Sequence, residues 1–320
     1  MSTVFSDFGH GITCIDTGYN RERFAACYLV LEQGRAAFID TGTAHSVPRM
    51  LEALRRVGLS ETDVDYVMPT HVHLDHAGGA GLLMRHLPNA KLVMHPRGAP
   101  HMIDPSRLIA GATAVYGEAG FHDSFGELPA VPEHRVLTVE DDAVLELGGR
   151  RLRFLDTPGH ASHHYCVWDE QSRGFFTGDT FGIAYPDLAM DSRSYLFPPT
   201  TPVQFNPDDW HASVARLAAF DPEYMYLTHF GRIDGIPHLA GELHRRIDDY
   251  AAIARAARHA HNRYGTIRAE LRKLILGELR THGCRLAEIE IDALLKMDLD
   301  LNAQGLEVWL ARLDRHGQAH

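Results

Sequence analysis

No apolar run in this 320-residue chain approaches ~18 positions, so it offers no segment for a membrane-spanning helix. The start, MSTVFSDFGHGITCIDTGY, lacks a basic stretch followed by an apolar one; no secretory signal is legible, and a cytoplasmic protein is expected. Cysteine is scarce: Cys14, Cys27, Cys166 and Cys284 stand far apart with no C-x-x-C pair, which excludes a disulfide framework and predicts reduced thiols. Positive charge is also short. With 31 Lys and Arg against 42 Asp and Glu the net charge is −11, which excludes a general nucleic-acid binder, because phosphate binding needs a basic surface. The deficit is local: residues 1–240 carry −12 and residues 241–320 carry +1. Bound cations would offset some of that acidity. The hydrophobic share of 45% and the charged share of 23% then exclude disordered and fibrous classes.

The length suits one large or two modest domains. Residues 28–32 and 35–40 read as a strand pair around Gln33-Gly34, followed by a helix over 46–57 with Met50, Leu51, Leu54 and Val57 at 3–4 spacing. A strand over 64–69, a helix over 80–87 and a strand over 91–94 continue the rhythm, which predicts an α/β architecture. Residues 98–135 read as irregular. Short strands follow at 136–139, 143–147, 151–155, 165–168 and 174–177, then a long loop over 182–208. A helix over 210–220, with Asp208 or Asp209 near its N-cap, precedes a last strand at 224–227. From there the texture turns helical, at 238–260, 266–282 and 286–314. Two domains are expected, 1–238 catalytic and 239–320 α-helical.

What is abundant is histidine, 22 in all, and its placement carries the chemistry. Directly after the strand at 64–69 come His71, His73, Asp75 and His76, within six residues. His71 and His73 can present imidazoles to one cation, and Asp75 and His76 fall one step further on, toward a second. Imidazole and carboxylate suit Zn²⁺, Fe or Mn. The following Gly78-Gly79 lets the backbone pass close to the site. Three later segments place one metal-competent residue each just past a strand: His160 in Asp-Thr-Pro-Gly-His, Asp179 in Phe-Phe-Thr-Gly-Asp, and His229 in Tyr-Leu-Thr-His. Strand ends are where α/β enzymes assemble their sites.

The H-x-H-x-D-H run, the TPGH and GD segments, the late His229 and the early Asp40-Thr-Gly42 together resemble the metallo-β-lactamase-fold hydrolases, over residues 10–235. The resemblance implies an αββα sandwich with metals at one edge and an added C-terminal helical region. It also implies that His71, His73 and His160 hold one divalent metal, that Asp75, His76 and His229 hold another, and that Asp179 bridges the two. Zinc is the expected metal, with iron or manganese as alternatives. By the same resemblance a metal-bridging hydroxide attacks the substrate, Asp75 and Asp179 being the catalytic carboxylates. Binding one water to two Lewis acids lowers its pKa toward ~7. Asp40 is expected either to orient a ligand histidine or cap the loop, or simply to end its strand in a turn; His164 is expected to pack behind the ligands, and His95, His101 and His163 to lie on surfaces or loops. Tyr185, Tyr195, Phe181, Phe197 and Phe205 are candidates for an apolar lining.

Departures narrow the reading. Class-B β-lactamases carry cysteine where Asp179 stands. Flavodiiron relatives replace the second histidine of the run, here intact as His73, and acyl-homoserine lactonases carry tyrosine where Gly182 stands. Glyoxalase II-type thioesterases share the motifs and end in helices. A dinuclear hydrolase of a small ester, thioester or related acyl substrate is therefore expected. The alternatives are a mononuclear iron enzyme of the persulfide dioxygenase type, a phosphodiesterase, or a non-catalytic regulatory protein that keeps the metal. Leu286, Ile289, Ala293, Leu294, Met297 and Leu301 recur at 3–4 spacing; the face they would form predicts a homodimer. Arg268, Arg272, Lys273 and Arg280 read as a solvated basic face.

Overall fold

Strand alternation sorts the apolar residues of this chain into two layers. In the computed structural model, which describes residues 4–317, Cys27 and Leu29 of one strand enter one buried cluster. Their neighbours Ala26, Tyr28 and Val30 enter another. The next strand splits the same way, Ala36 and Phe38 against Ala37 and Ile39. Strands covered on both faces read as nearly continuous apolar runs, which these are.

By contacts the chain divides into two units, one of residues 1–156, 163–178 and 222–234, the other of 157–162, 179–221 and 235–320. The first holds both sheets. Its seven-stranded sheet follows chain order: β1 (Phe5–Asp7), β2 (Ile12–Asp16), β3 (Ala26–Glu32), β4 (Arg35–Ile39), β5 (Val64–Met68), β6 (Lys91–Met94) and β7 (Val136–Thr138). Pairing is antiparallel through β4 and parallel from β4 to β7. The intervening helices are α1 (Val47–Arg56), α2 (Leu74–Ala77), α3 (Ala80–His86), α4 (Ala99–Ile103) and α5 (Ser106–Phe125). Met50 and Leu54 of α1 and Leu83 and Met84 of α3 share a cluster with Phe38, Val67 and Leu92 of the sheet. The six-stranded sheet comprises β8 (Val144–Leu147), β9 (Arg150–Asp156), β10 (Tyr165–Asp169), β11 (Gly174–Gly178), β12 (Tyr224–Leu227) and β13 (Gly231–Ile233), running from β13 down to β8. There β11 and β12 pair in parallel and the other neighbours antiparallel. Between the sheets, Tyr28, Ile39, Met68 and Val93 meet Phe154, Tyr165, Val167, Phe176 and Tyr226. Two buried phenols there are satisfied: Tyr165 donates to the Val93 carbonyl at 3.0 Å and Tyr28 to that of Leu227.

The second unit holds α6 (Pro207–Ala218), α7 (Ile236–Ala256), α8 (Arg263–His282), α9 (Glu288–Leu294) and α10 (Lys296–Gly317). Asn206, rather than either aspartate, caps α6, its side-chain oxygen accepting from the Asp208 and Asp209 amides; an amide oxygen one residue outside the helix reaches those N–H groups, which carboxylates within the first turn do not. The long C-terminal helix is broken near Leu295. The face that α10 buries against α7 and α8 runs through Leu299, Ala303, Leu306 and Leu310, while Ile289 of the expected face is 78% exposed. That break shifts the helical register, so the two patterns do not coincide. The basic residues of α8 are ion-paired: Arg268 with Asp300, Arg272 with Asp292, Arg280 with Glu288 and Lys273 with Glu270. Tyr185 and Tyr195, candidates for a lining, are buried anchors whose hydroxyls donate to Asp298 and Glu278.

Residues 98–135 depart from expectation, forming α4 and the 20-residue α5. Gly111, Gly117 and Gly120 and the absence of an apolar stripe hide α5, which is exposed over most of its length. The short strands β1, β2 and β13 also lie outside the expected elements. All four cysteines are free, and burial pushes the Cys14 and Cys27 thiols up, away from reactivity. Among the described residues no helix is long and apolar enough to cross a membrane.

Buried charge and a histidine pair make the fold's stability testable. Arg150 and Asp169 are fully enclosed; Arg150 Nε donates to Asp169 Oδ1 at 2.8 Å and Asp169 also accepts from the Ser172 amide. Asp169→Ala strands the guanidinium and should cost about 3–5 kcal/mol, read as a lower denaturant midpoint. On α6, His211 Nε2 donates to Asp248 at 3.0 Å, which leaves its Nδ1 to accept from His244 Nδ1 at 2.7 Å. Burial, then His211, lowers the His244 pKa, with Asp248 opposing. Folded His244 therefore binds its proton less tightly than the unfolded chain does, so stability is lost as pH falls. Melting temperature should drop between about pH 7 and about pH 5, and His244→Asn should flatten part of that slope.

Candidate metal centre

The site is built on strand ends. β5 ends at Met68, and Pro69-Thr70 leads into His71 and His73; His73 is the N-cap of the single-turn helix α2, which carries Asp75 and His76. The turn is closed by the His76 and Ala77 amides donating to the His73 carbonyl at 3.0 and 2.8 Å. Gly79 then runs against the turn after β4, where a Cβ would lie 2.7 Å from the Thr43 carbonyl oxygen. Only glycine permits that approach.

Within the first unit this brings five of the seven expected ligands together. The His71 and His73 rings lie 4.4 Å apart and those of His71 and His76 4.1 Å apart. His229, just past β12, joins them: its Nε2 is 3.3 Å from Asp75 Oδ2, and His76 Nε2 is 3.9 Å from Asp75 Oδ1. Asp75, His76 and His229 each offer a ligand atom within 4.8 Å of the others, a spacing that a single cation can span. Within the second unit, His160 Nε2 lies 3.2 Å from Asp179 Oδ2. Helix α6 holds that pair. Trp210 Nε1 donates to the Thr180 carbonyl, Ser213 Oγ to that of Pro158, both at 2.6 Å, and the Asn206 amide to that of Gly159 at 2.8 Å.

The hydrogen bonds decide which ring nitrogen carries the proton. His229 Nδ1 contacts the Phe24 carbonyl at 2.8 Å and His160 Nδ1 the Pro199 carbonyl at 2.7 Å. A carbonyl only accepts, so each Nδ1 carries the proton and each neutral ring keeps Nε2 as a lone-pair donor. His76 Nδ1 meets Asp40 Oδ2 at 2.8 Å in the same manner. Fixing the ring through its outer N–H is how proteins orient metal-binding histidines, and the donor set fits Zn²⁺, Fe or Mn.

Asp40 is the hub of the first unit's half of the centre. Buried to 1% exposure at φ +54°, it accepts from the Thr70 amide at 2.7 Å, Thr70 Oγ1 at 3.0 Å, Thr228 Oγ1 at 2.6 Å and His76. Of the roles open to Asp40, the contact with His76 Nδ1 corresponds to orienting that imidazole. Thr70 and Thr228 are missing from the expected set, although a Thr-His pair after both β5 and β12 is a legible signal. His164 is fully buried with its ring stacked 4.8 Å from that of His71, as expected. His95 and His163 are 7% exposed rather than superficial. His95 Nε2 reaches Asp156 at 3.2 Å and His163 stacks 6.2 Å from His71, because both sit on segments folded against the centre. His101 lies 6.3 Å from His163. Gly178, at φ +48°, passes so close that a Cβ would lie 2.5 Å from both His164 Nε2 and Thr70 Oγ1.

Asp40→Ala removes the acceptor that holds His76 and should weaken metal binding about 10–100-fold, measured by chelator competition. Thr228→Val, which removes one of the donors, should have a smaller effect in the same assay.

Residues 20–229, more than half of the chain, match the profile of the metallo-beta-lactamase superfamily. The metallo-beta-lactamase fold-containing protein ST1585 of Sulfurisphaera tokodaii is 25% identical over 65% of this chain and 74% of its own length. Its crystal structure superposes with a TM-score of 0.61, covering 75% of this chain and 86% of that one, at 24% identity. A metallo-beta-lactamase family protein of Thermus thermophilus, TTHA1429, gives a TM-score of 0.65 over 95% of this chain and 94% of its own, at 20% identity. A hydroxyacylglutathione hydrolase of Aeromonas hydrophila is 26% identical over 63% of this chain and 59% of its own length. The fold is the αββα sandwich, and the chain belongs to the metallo-beta-lactamase superfamily.

Proposed function

We propose that this protein is a dinuclear metal hydrolase of a small ester, thioester or related acyl compound. His71, His73 and His160 would hold one cation, Asp75, His76 and His229 the other, and Asp179 would bridge them. The observation that supports the reading is the set of imidazoles whose outer N–H groups are tied to Asp40, Phe24 and Pro199, so that each Nε2 is the unprotonated, lone-pair nitrogen. The likeness to a hydroxyacylglutathione hydrolase supports acyl hydrolysis as the chemistry.

When bound, such cations make hydroxide available near neutral pH and polarise the scissile carbonyl. The chain's own contribution is orientation. Asp75, 26% exposed, is the ligand carboxylate turned most toward solvent, so its oxygens can both bind a cation and accept a proton from the attacking water. Asp179, 4% exposed and with Oδ2 3.2 Å from His160 Nε2, would supply the bridging carboxylate.

Elemental analysis of freshly purified protein should give two metals per chain. Asp179→Ala should reduce that number and abolish turnover of p-nitrophenyl esters and thioesters. Asp75→Asn should lower kcat about 10²–10⁴-fold. One iron per chain with oxygen uptake would overturn this reading in favour of a dioxygenase, and cleavage of bis-p-nitrophenyl phosphate alone would replace acyl hydrolysis with phosphodiester hydrolysis.

A further inference from the structure

The orientation of His229 depends on a loop whose middle is exposed. His229 Nδ1 donates to the Phe24 carbonyl at 2.8 Å, and Phe24 lies in the connection of residues 17–25 between β2 and β3. Gly18, Asn20, Glu22 and Arg23 of that connection are exposed. Three of its residues stand in the left-handed region, Gly18 at φ +72°, Asn20 at +58° and Arg23 at +53°. Glycine and asparagine take that conformation readily, whereas arginine does not, so Arg23 needs a group that holds it there.

Asp16, the last residue of β2, is that group. It is 3% exposed, and its two oxygens reach both ends of the loop. Oδ1 accepts from the Gly18 amide at 2.8 Å and Oδ2 from the Arg23 amide at 2.9 Å. Hydrogen bonds from amides to an ionised carboxylate are roughly twice as strong as neutral ones. Arg49 of α1 steadies the carboxylate from another side, its guanidinium 3.6 Å from Oδ1 and donating to the Asp16 carbonyl at 2.7 Å. Thr17 Oγ1 closes the base of the loop on the Ala25 carbonyl at 2.8 Å. Just beyond, the Ala26 amide donates to the Thr228 carbonyl at 2.7 Å, so His229 and the residue before it are both tied to the segment that Asp16 shapes. Among the described residues the side-chain hydrogen bonds of Asp16 go only to the loop, so its effect on the imidazole passes through the Phe24 carbonyl.

We propose that Asp16 is a positioning residue of the metal centre. By pinning the Gly18 and Arg23 amides it places the Phe24 carbonyl where it holds the His229 Nδ1 proton, and the ring then presents Nε2 to the side of Asp75, 3.3 Å from Oδ2. The inference rests on the metal-hydrolase reading for what His229 binds, but the hold on the ring stands without it.

The test uses the full chain with Zn²⁺ as the probe. It reads Zn²⁺ affinity by chelator competition and, by ¹⁵N NMR, the exchange-protected ring N–H signals of His229 and His76. In Asp16→Ala the His229 signal should broaden into solvent exchange while that of His76, which Asp40 holds, stays sharp. Affinity should fall about 10-fold, the low end of what loss of a ligand's hydrogen-bond partner costs. Asp16→Asn keeps one acceptor oxygen and should recover part of both readings. Asp7→Ala removes the same kind of bond at another turn, from the Gly9 amide at 2.8 Å, and should change neither. Loss of both ring signals together in Asp16→Ala, or an unchanged His229 signal and affinity, overturns the proposal. Should that variant fail to fold, amide exchange in the unaltered protein decides: the Gly18 and Arg23 amides are expected to be protected although both residues are exposed, and fast exchange at the two overturns it. If the unaltered protein takes up no Zn²⁺, selective loss of the His229 signal in Asp16→Ala still supports the hold, and the metal reading falls instead.

Discussion

One buried carboxylate organises the centre. Asp40 lies just past β4, and a carboxylate at 1% exposure is tolerable only when its lone pairs are fully engaged. Its donors come from the exit of β5, from α2 and from the exit of β12, that is, from both sheets. Satisfying that charge therefore draws together the strand ends that carry His71, His76 and His229. The left-handed backbone at Asp40 is the local cost, and the network around it keeps the conformation in place.

The same economy recurs around the ligands. Each oriented imidazole is held by a group that also serves elsewhere in the fold. Asp40 joins the sheets, and Pro199 belongs to the segment packed on Asn302 through Thr200. Phe24 does two things at once. Its carbonyl sets the tautomer of His229, and its ring packs edge-on against the same imidazole.

Much of the centre is legible in the chain because its chemistry depends on side-chain identity within short windows. Histidine and aspartate at His71, His73, Asp75, His76, His160, Asp179 and His229 have few substitutes, and each window follows a strand with a clear apolar pattern. The threonines are harder to see. Thr70 and Thr228 matter only because one hydroxyl apiece reaches a carboxylate 30 or 188 residues away. Helix α5 escapes pattern reading because a helix exposed on most sides needs no apolar stripe, and its glycines mimic loop composition. The buried face of α10 differs from the expected one because the break near Leu295 resets the helical phase, a change that the 3–4 spacing of apolar residues does not announce.

By itself the sequence determined the alternation of elements, the family and the set of metal-competent side chains, since these follow from local periodicity and from chemistry that only a few residue types can perform. Tertiary structure alone decided which nitrogen of each histidine faces inward and where the histidines of uncertain role came to rest. Those outcomes depend on distances between segments remote in the chain, which are set only when two sheets and their helices close over a shared core.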